Sequence, residues 1–193
     1  MQNLKWKYSK FLINKNFQFS RGYVLKYLPS NLLVNSHKSI SKWKGYNPTP
    51  LLKLNKLNKN LQLKNIFYKD ESKRFHLKCF KALGGAYAVE KISKKNGRII
   101  VSSATAGNHG RSVAWGAQKL KLQCKIFVSK YVSETRVKEI KKLGAEVIRV
   151  RGNYEASLRE CQLISKKNNW KIIQDVSSKN YKYIPQLTMA GYS

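Results

Sequence analysis

Carboxylates are what this chain most lacks. Nine Asp and Glu stand against 39 Lys and Arg, a net charge of +30, and the first 69 residues carry no acidic side chain. A basic excess of this size points to nucleic acid or an acidic membrane surface when it is gathered into a patch. Here the lysines are spread along the whole chain without an RNA- or DNA-binding signature. With so many asparagines beside them, they fit compositional drift and nonspecific polyanion binding, and no specific nucleic-acid partner is expected. Cysteine is scarce too: Cys79, Cys124 and Cys161 have no metal-site spacing, and an odd number closes no complete disulfide framework. A reducing, cytoplasmic setting is the simplest reading. No apolar run is long enough to span a membrane, so no membrane partner is expected. The acid-free start resembles a transit peptide, but its basic residues are mostly Lys and lack an amphipathic Arg-rich pattern.

What is present suffices for a core. The chain is 42% hydrophobic and 11% aromatic, which excludes wholesale disorder, and 193 residues fit one domain or one and part of a second. The first 45 residues read weakly. Phe11–Ile13 and Tyr23–Leu28 are short apolar patches that suggest a strand or helix turn, and Ser30 is placed to cap a helix. Pro48 and Pro50 force an extended segment. Leu51–Leu63 reads as a short helix or an irregular core segment, and Ile66–Lys69 as a strand. From Arg98 the pattern turns regular. Strands Arg98–Ser102, Cys124–Val128, Glu146–Val150 and Trp170–Gln174 alternate with helices, the second begun at Ser133 and stopped at Gly144, the third begun at Asn153. Strands alternating with single helices predict βαβ units, a parallel sheet and an α/β fold.

Three places carry candidate chemistry. In Arg74–Tyr87 (RFHLKCFKALGGAY), Lys81 lies among Leu77, Phe80, Ala82 and Leu83, ahead of Gly84 and Gly85. A lysine attacks a carbonyl only as the free amine, so apolar flanks suit it, and the glycines permit close approach to the backbone. With so many lysines in the chain, an ordinary surface role fits the same window. Ser103–Gly110 sits where a parallel sheet presents ligand groups, and reads either as an anion site or as an ordinary turn capped by Asn108. Asp175, just past a strand end, is a site residue or a turn former. Arg111, Arg136 and Arg159 fall on helices and are expected to be solvated.

The motifs PTPL (48–51), KDES (69–72), RFHLKCFKALGGAYA (74–88), ATAGNHGRSVAW (104–115), GAEVI (144–148), NY (153–154), QD (174–175) and YIPQLTMAGY (183–192) occur in one order. Together they resemble the diaminopropionate ammonia-lyases, within the fold-type II pyridoxal-phosphate enzymes related to tryptophan synthase β and the serine/threonine dehydratases. The resemblance implies parallel βα layers, with residues 86–190 as a βαβα small domain and residues 1–85 as part of a large domain. It implies that Lys81 holds pyridoxal 5'-phosphate covalently, Phe80 packs on its ring and Asn108 bonds its 3′-oxygen. Backbone N–H groups of Thr105, Gly107, Asn108 and His109 would bind the carboxylate of a small amino-acid substrate. Asp175 would take the α-proton of the L-substrate in an α,β-elimination of 2,3-diaminopropionate to pyruvate and ammonia. A full-length form would be a homodimer.

Two departures accompany the resemblance. Ala106 stands where the family usually has an Asp associated with the D-isomer, which makes a serine/threonine dehydratase the alternative reading. The chain also stops at Ser193, ahead of the family's glycine-rich phosphate loop, and so reads as an amino-terminal fragment. A basic nucleic-acid-binding protein or an inactive remnant are the competing readings.

Overall fold

The structure is a computed structural model that describes residues 20–61, 63–105 and 107–193, so the Phe11–Ile13 patch and Ala106 lie outside the described residues. Four strands, β3 (Ile100–Ala104), β4 (Gln123–Ser129), β5 (Glu146–Val150) and β6 (Lys171–Ile172), form one sheet in the order β5-β4-β3-β6. Every pairing in it is parallel, as the alternation of strands and helices predicts. The last strand is shorter than expected; Ile173 adds one further bond, from its N–H to Ser102 O at 2.7 Å.

Side-chain alternation along the strands divides the core in two. In β4, Cys124, Ile126 and Val128 join Val101 of β3 and the residues Val113, Ala114 and Ile140 from α5 (Asn108–Lys119) and α6 (Glu134–Lys141). Phe127 points the other way, to Ala104 and to Cys161 of α7 (Tyr154–Lys167). Ser102 also faces α7, sharing a buried 2.7 Å hydrogen bond with Ser165. Strands covered on both faces carry near-continuous apolar runs, and full burial of Ile126, Phe127 and Val128 stabilises the fold by roughly 1.5–3 kcal/mol each.

The strand order has a consequence for ligand binding. From β3 the chain steps outward through β4 to β5, then returns to the opposite side of β3 as β6. The connections leaving β3 and β6 therefore diverge, which opens a crevice at their carboxyl ends.

Helix α4 (Lys81–Asn96) packs on α5 and on α8 (Tyr183–Tyr192). Its glycines are inside the helix, and the approach they permit is that of neighbouring helices. A Cβ on Gly84 would lie 2.3 Å from Thr188 O, and one on Gly85 2.5 Å from Ser112 Oγ. Ser112 locks the α4–α5 crossing by accepting from Ala86 N at 3.0 Å and donating to Ala82 O at 3.1 Å. The expected division at residue 85 falls within α4.

The amino-terminal part differs more from expectation. The patch Tyr23–Leu28, which suits a strand or a helix turn, falls on a helix, α1 (Arg21–Tyr27), with Leu28 as its C-cap. In α2 (Ser30–Ile40) the N-cap is Pro29, extended at ψ 144°, and Ser30 is the first helical residue without a capping bond. Leu51–Leu63 breaks into strand β1 (Leu51–Lys53) and helix α3 (Asn55–Asn60), with Leu51 and Leu63 exposed. Strand β1 pairs antiparallel with β2 (Phe67–Lys69). Among the described residues no helix is long and apolar enough to cross a membrane.

Candidate active site

Lys81 is the first residue of α4, and the loop before it is held rigidly. Arg74 is 6% exposed; it donates to both carboxylate oxygens of Glu71, to Asn47 O and to Thr49 Oγ1. That guanidinium, with the Thr49 hydroxyl, holds the Glu71 carboxyl below its usual range against the effect of burial. Phe75 and Lys78 in this loop take φ values of 44° and 54°, left-handed conformations that cost about 1–2 kcal/mol for residues bearing a Cβ. The surrounding bonds over-determine that strain, as at many sites where a side chain must be aimed.

The aim is toward Asp175, just beyond β6. Lys81 Nζ lies 2.7 Å from Asp175 Oδ2, with the two side chains 32% and 22% exposed. His109, in the first turn of α5, places Nδ1 3.8 Å from the same oxygen. Its Nε2 is 3.0 Å from Ile173 O. A carbonyl can only accept, so Nε2 carries the hydrogen and the neutral ring leaves Nδ1 as an acceptor. That Nδ1 is buried without a hydrogen-bond partner among the described residues.

Burial lowers the His109 pKa below the ordinary histidine value, more strongly than Asp175 raises it. For Asp175, burial opposes ionisation, but the neighbouring His109 and Lys81 outweigh it and hold the carboxyl below the ordinary aspartate value. At neutral pH His109 is uncharged, so the attraction that keeps Asp175 ionised comes from Lys81. The site therefore pairs an ammonium with a carboxylate base, beside a neutral imidazole.

A cavity of about 520 Å³ joins these groups, lined by Lys81, Thr105, Gly107, Asn108, His109 and Asp175. Thr105 N–H is already engaged, donating to Phe127 O at 3.1 Å, and Thr105 Oγ1 accepts from Gly107 and Gly110 N–H at 3.3 Å. The helix N-cap is Gly107 rather than Asn108. Asn108 and His109 begin α5, where backbone N–H groups have no intrahelical acceptor and suit an anion. Phe80 is not among the residues lining this cavity, but its ring centroid lies 5.9 Å from Lys81 Nζ. Its ring meets Tyr192 edge-on, centroids 5.1 Å apart, and borders a neighbouring cavity of about 450 Å³ with Arg74 and Glu71.

Five polar residues that sequence reading left without a role also line the first cavity: Arg111, Thr135, Arg136, Glu139 and Tyr154. Arg111 is half-buried, a correction to its expected solvation, and donates to Leu77 O at 3.3 Å, tying α5 to the lysine loop. Arg159 is exposed as expected. All but Glu139 come from the first turn of a helix that follows a strand of the parallel sheet. That position was the available signal, since first turns above the carboxyl ends of strands face the crevice. Among the described residues no cluster of three metal-ligating side chains occurs.

Residues 42–192 match the family described as pyridoxal-phosphate dependent enzyme. The chain is 34% identical over 198 residues to the diaminopropionate ammonia-lyase of Escherichia coli (strain K12), covering 93% of this chain and 49% of that protein. It is 33% identical over 86 residues, 45% of this chain and 14% of that protein, to the mitochondrial threonine dehydratase of Schizosaccharomyces pombe. The crystal structure of the Escherichia coli diaminopropionate ammonia lyase in apo form superposes with a TM-score of 0.81 at 35% identity, over 86% of this chain and 49% of that one. The chain thus spans about half the length of the ammonia-lyases it matches.

Proposed function

The chain belongs to the pyridoxal-phosphate dependent enzymes, and on that premise we propose that its cavity serves the α,β-elimination of L-2,3-diaminopropionate to pyruvate and ammonia. The observation that carries this reading is the 2.7 Å pair of Lys81 Nζ and Asp175 Oδ2 at the crevice end of the sheet. The residues fit the cofactor: a primary amine reaches into a cavity that also presents the Asn108 amide and two unengaged-turn N–H groups of α5. Lys81 is the residue that would hold the cofactor, and Asn108 the one that would bond its 3′-oxygen. When bound, pyridoxal phosphate supplies the electron sink for the pair left behind at the α-carbon.

The chain's own groups divide the remaining work. Lys81 must lose a proton before its amine can bond to a carbonyl, and Asp175 Oδ2 is within reach to take it. Asp175, 22% exposed and with a pKa held below the ordinary aspartate value, releases that proton to solvent and, ionised again, is the base for the α-proton of the L-substrate. The backbone N–H groups of Asn108 and His109 hold the substrate carboxylate. Thr105 and Gly107 shape that loop through the Thr105 hydroxyl, their own N–H groups being engaged inside the protein. Phe80, facing Tyr192, would pack on the cofactor ring from beside the cavity.

A second reading, elimination of water from serine or threonine, is favoured by Ala106 in the loop sequence and by the match to a threonine dehydratase. The reading also includes a homodimeric full-length assembly and no sequence-specific nucleic-acid partner. Supporting the latter, the lysines are distributed over α3, α4, α6 and α7 rather than gathered on one helix.

The test is to add pyridoxal phosphate to the chain, record its visible absorbance, and follow pyruvate and ammonia from L-2,3-diaminopropionate, L-serine and L-threonine. The expected result is a shifted absorbance band, lost in Lys81→Ala, with the diamino acid turned over fastest. A spectrum identical to that of free cofactor would overturn the reading.

A further inference from the structure

The cavity contains a second carboxylate, Glu139 of α6, beyond the one that pairs with Lys81. We propose that Glu139 is a specificity residue that recognises the substrate's β-substituent as a cation, favouring a β-ammonium over a β-hydroxyl. This rests on the elimination reading above and names the feature of the substrate that the site selects.

Four observations support it. First, Glu139 lines the same cavity as Lys81, His109 and Asp175, and reaches it from the wall formed by α6. Second, the Lys142 ammonium, 2.7 Å from Glu139 Oε1, holds this carboxyl below its usual range, so it is a full anion at neutral pH. Third, the buried His109 Nδ1 is an acceptor without a partner among the described residues and lines the same space. An acceptor and a carboxylate in one cavity suit a group with several N–H donors, and an ammonium has three where a hydroxyl has one. Fourth, the loop sequence ATAGNHG offers no carboxylate of its own, and of the two carboxylates that line the cavity Asp175 is paired with Lys81, which leaves Glu139. Arg111 and Arg136 line the same cavity, and Arg111 is near enough to Glu139 to help hold its carboxyl low.

The β-amino group of 2,3-diaminopropionate is an aliphatic amine and is protonated at neutral pH, as a lysine is. The β-hydroxyl of serine is neutral. A charge-assisted bond to a carboxylate 40% exposed lies at the weak end of such interactions, so the discrimination expected is about tenfold.

The decisive measurement is calorimetric titration of the chain with L-2,3-diaminopropionate and with L-serine, for wild type, Glu139→Gln and Glu139→Asp. Wild type should bind the diamino acid more tightly. Glu139→Gln should weaken that binding about tenfold while serine changes less than twofold, and Glu139→Asp should retain part of the preference. The ratio of kcat/KM for the two substrates, measured with pyridoxal phosphate, should fall in parallel. Equal weakening for both ligands, an unchanged ratio, or a wild type without preference would each overturn the proposal. Binding needs no turnover, so a chain that forms no product defeats the elimination reading and still decides the role of Glu139.

Discussion

Lys81 and Asp175, 94 positions apart in sequence, meet with Nζ and Oδ2 2.7 Å apart. One begins α4 and the other follows β6, so their meeting depends on the return of the chain across the sheet. Asp175→Asn preserves the shape and removes the proposed base. It should leave the cofactor absorbance in place while lowering turnover of the L-substrate by about 100-fold or more, as stopped-time pyruvate assays would show. Turnover within threefold of wild type would assign the proton transfer elsewhere.

The chirality of the substrate provides a second check. The loop sequence has Ala106 where the resemblance to the ammonia-lyases implies an Asp that handles the D-isomer, while Asp175 is present. Elimination should therefore run faster on L- than on D-2,3-diaminopropionate. Equal initial rates on the two isomers would show that the missing carboxylate is not needed.

His109 makes stability depend on pH. Burial lowers its pKa in the folded state, whereas the unfolded chain titrates near the ordinary value of 6.5. Between those two values the unfolded state binds more protons, so stability falls as pH drops through about 6.5 and is constant above it. The urea midpoint should decline from pH 7.5 to pH 5.5 in wild type. In His109→Gln, which has no titrating ring, most of that decline should vanish.

Much of the fold was legible because parallel strands covered on both faces carry apolar runs, as Cys124–Val128 does, and because helix starts such as Asn153 have a local cap. The cavity was legible only where a residue stood at a strand end, as Asp175 does, or in a motif, as Lys81 and Asn108 do. Arg111 and Glu139 could not be assigned to it, since which face of α5 and α6 overhangs the crevice depends on how those helices pack. The Gly84–Gly85 pair permits close approach to the backbone. Its neighbours are α8 and α5, and nothing local in the sequence distinguishes a ligand from a helix.

Arg74 should be among the most sensitive side chains outside the cavity. Its guanidinium is buried and fully committed to Glu71, Thr49 and Asn47. Arg74→Ala leaves Glu71 a half-buried anion without its partner, and should destabilise the fold by about 3 kcal/mol in urea denaturation. The Arg74 bond keeps the Glu71 pKa low, so its contribution is present above the ordinary glutamate value of 4.5 and is lost as pH falls through the lower folded value. Wild type and Arg74→Ala should accordingly converge in stability under acid.

The closest helix contact gives the sharpest structural prediction. At Gly84 an added Cβ would fall 2.3 Å from both Thr188 O and Tyr192 Cε1, and at Gly191 one would fall 2.6 Å from Gly84 Cα. The tyrosine ring can turn aside; the backbone carbonyl and the facing helix cannot. Gly84→Ala should thus destabilise by about 1–3 kcal/mol despite the better helix propensity of alanine. Gly22 in α1 is the control, because a Cβ there meets only Ser20 Oγ at 3.8 Å. Gly22→Ala should leave the urea midpoint unchanged or raise it. Gly84→Ala and Gly191→Ala act on one contact, so the double variant should lose less than the sum of the singles. Lys81 stands one helical turn from Gly84, so forcing α4 away from α8 should also weaken pyridoxal phosphate binding, read as a higher cofactor concentration for half-maximal absorbance. A Gly84→Ala protein with wild-type stability would show that α4 and α8 do not pack this closely.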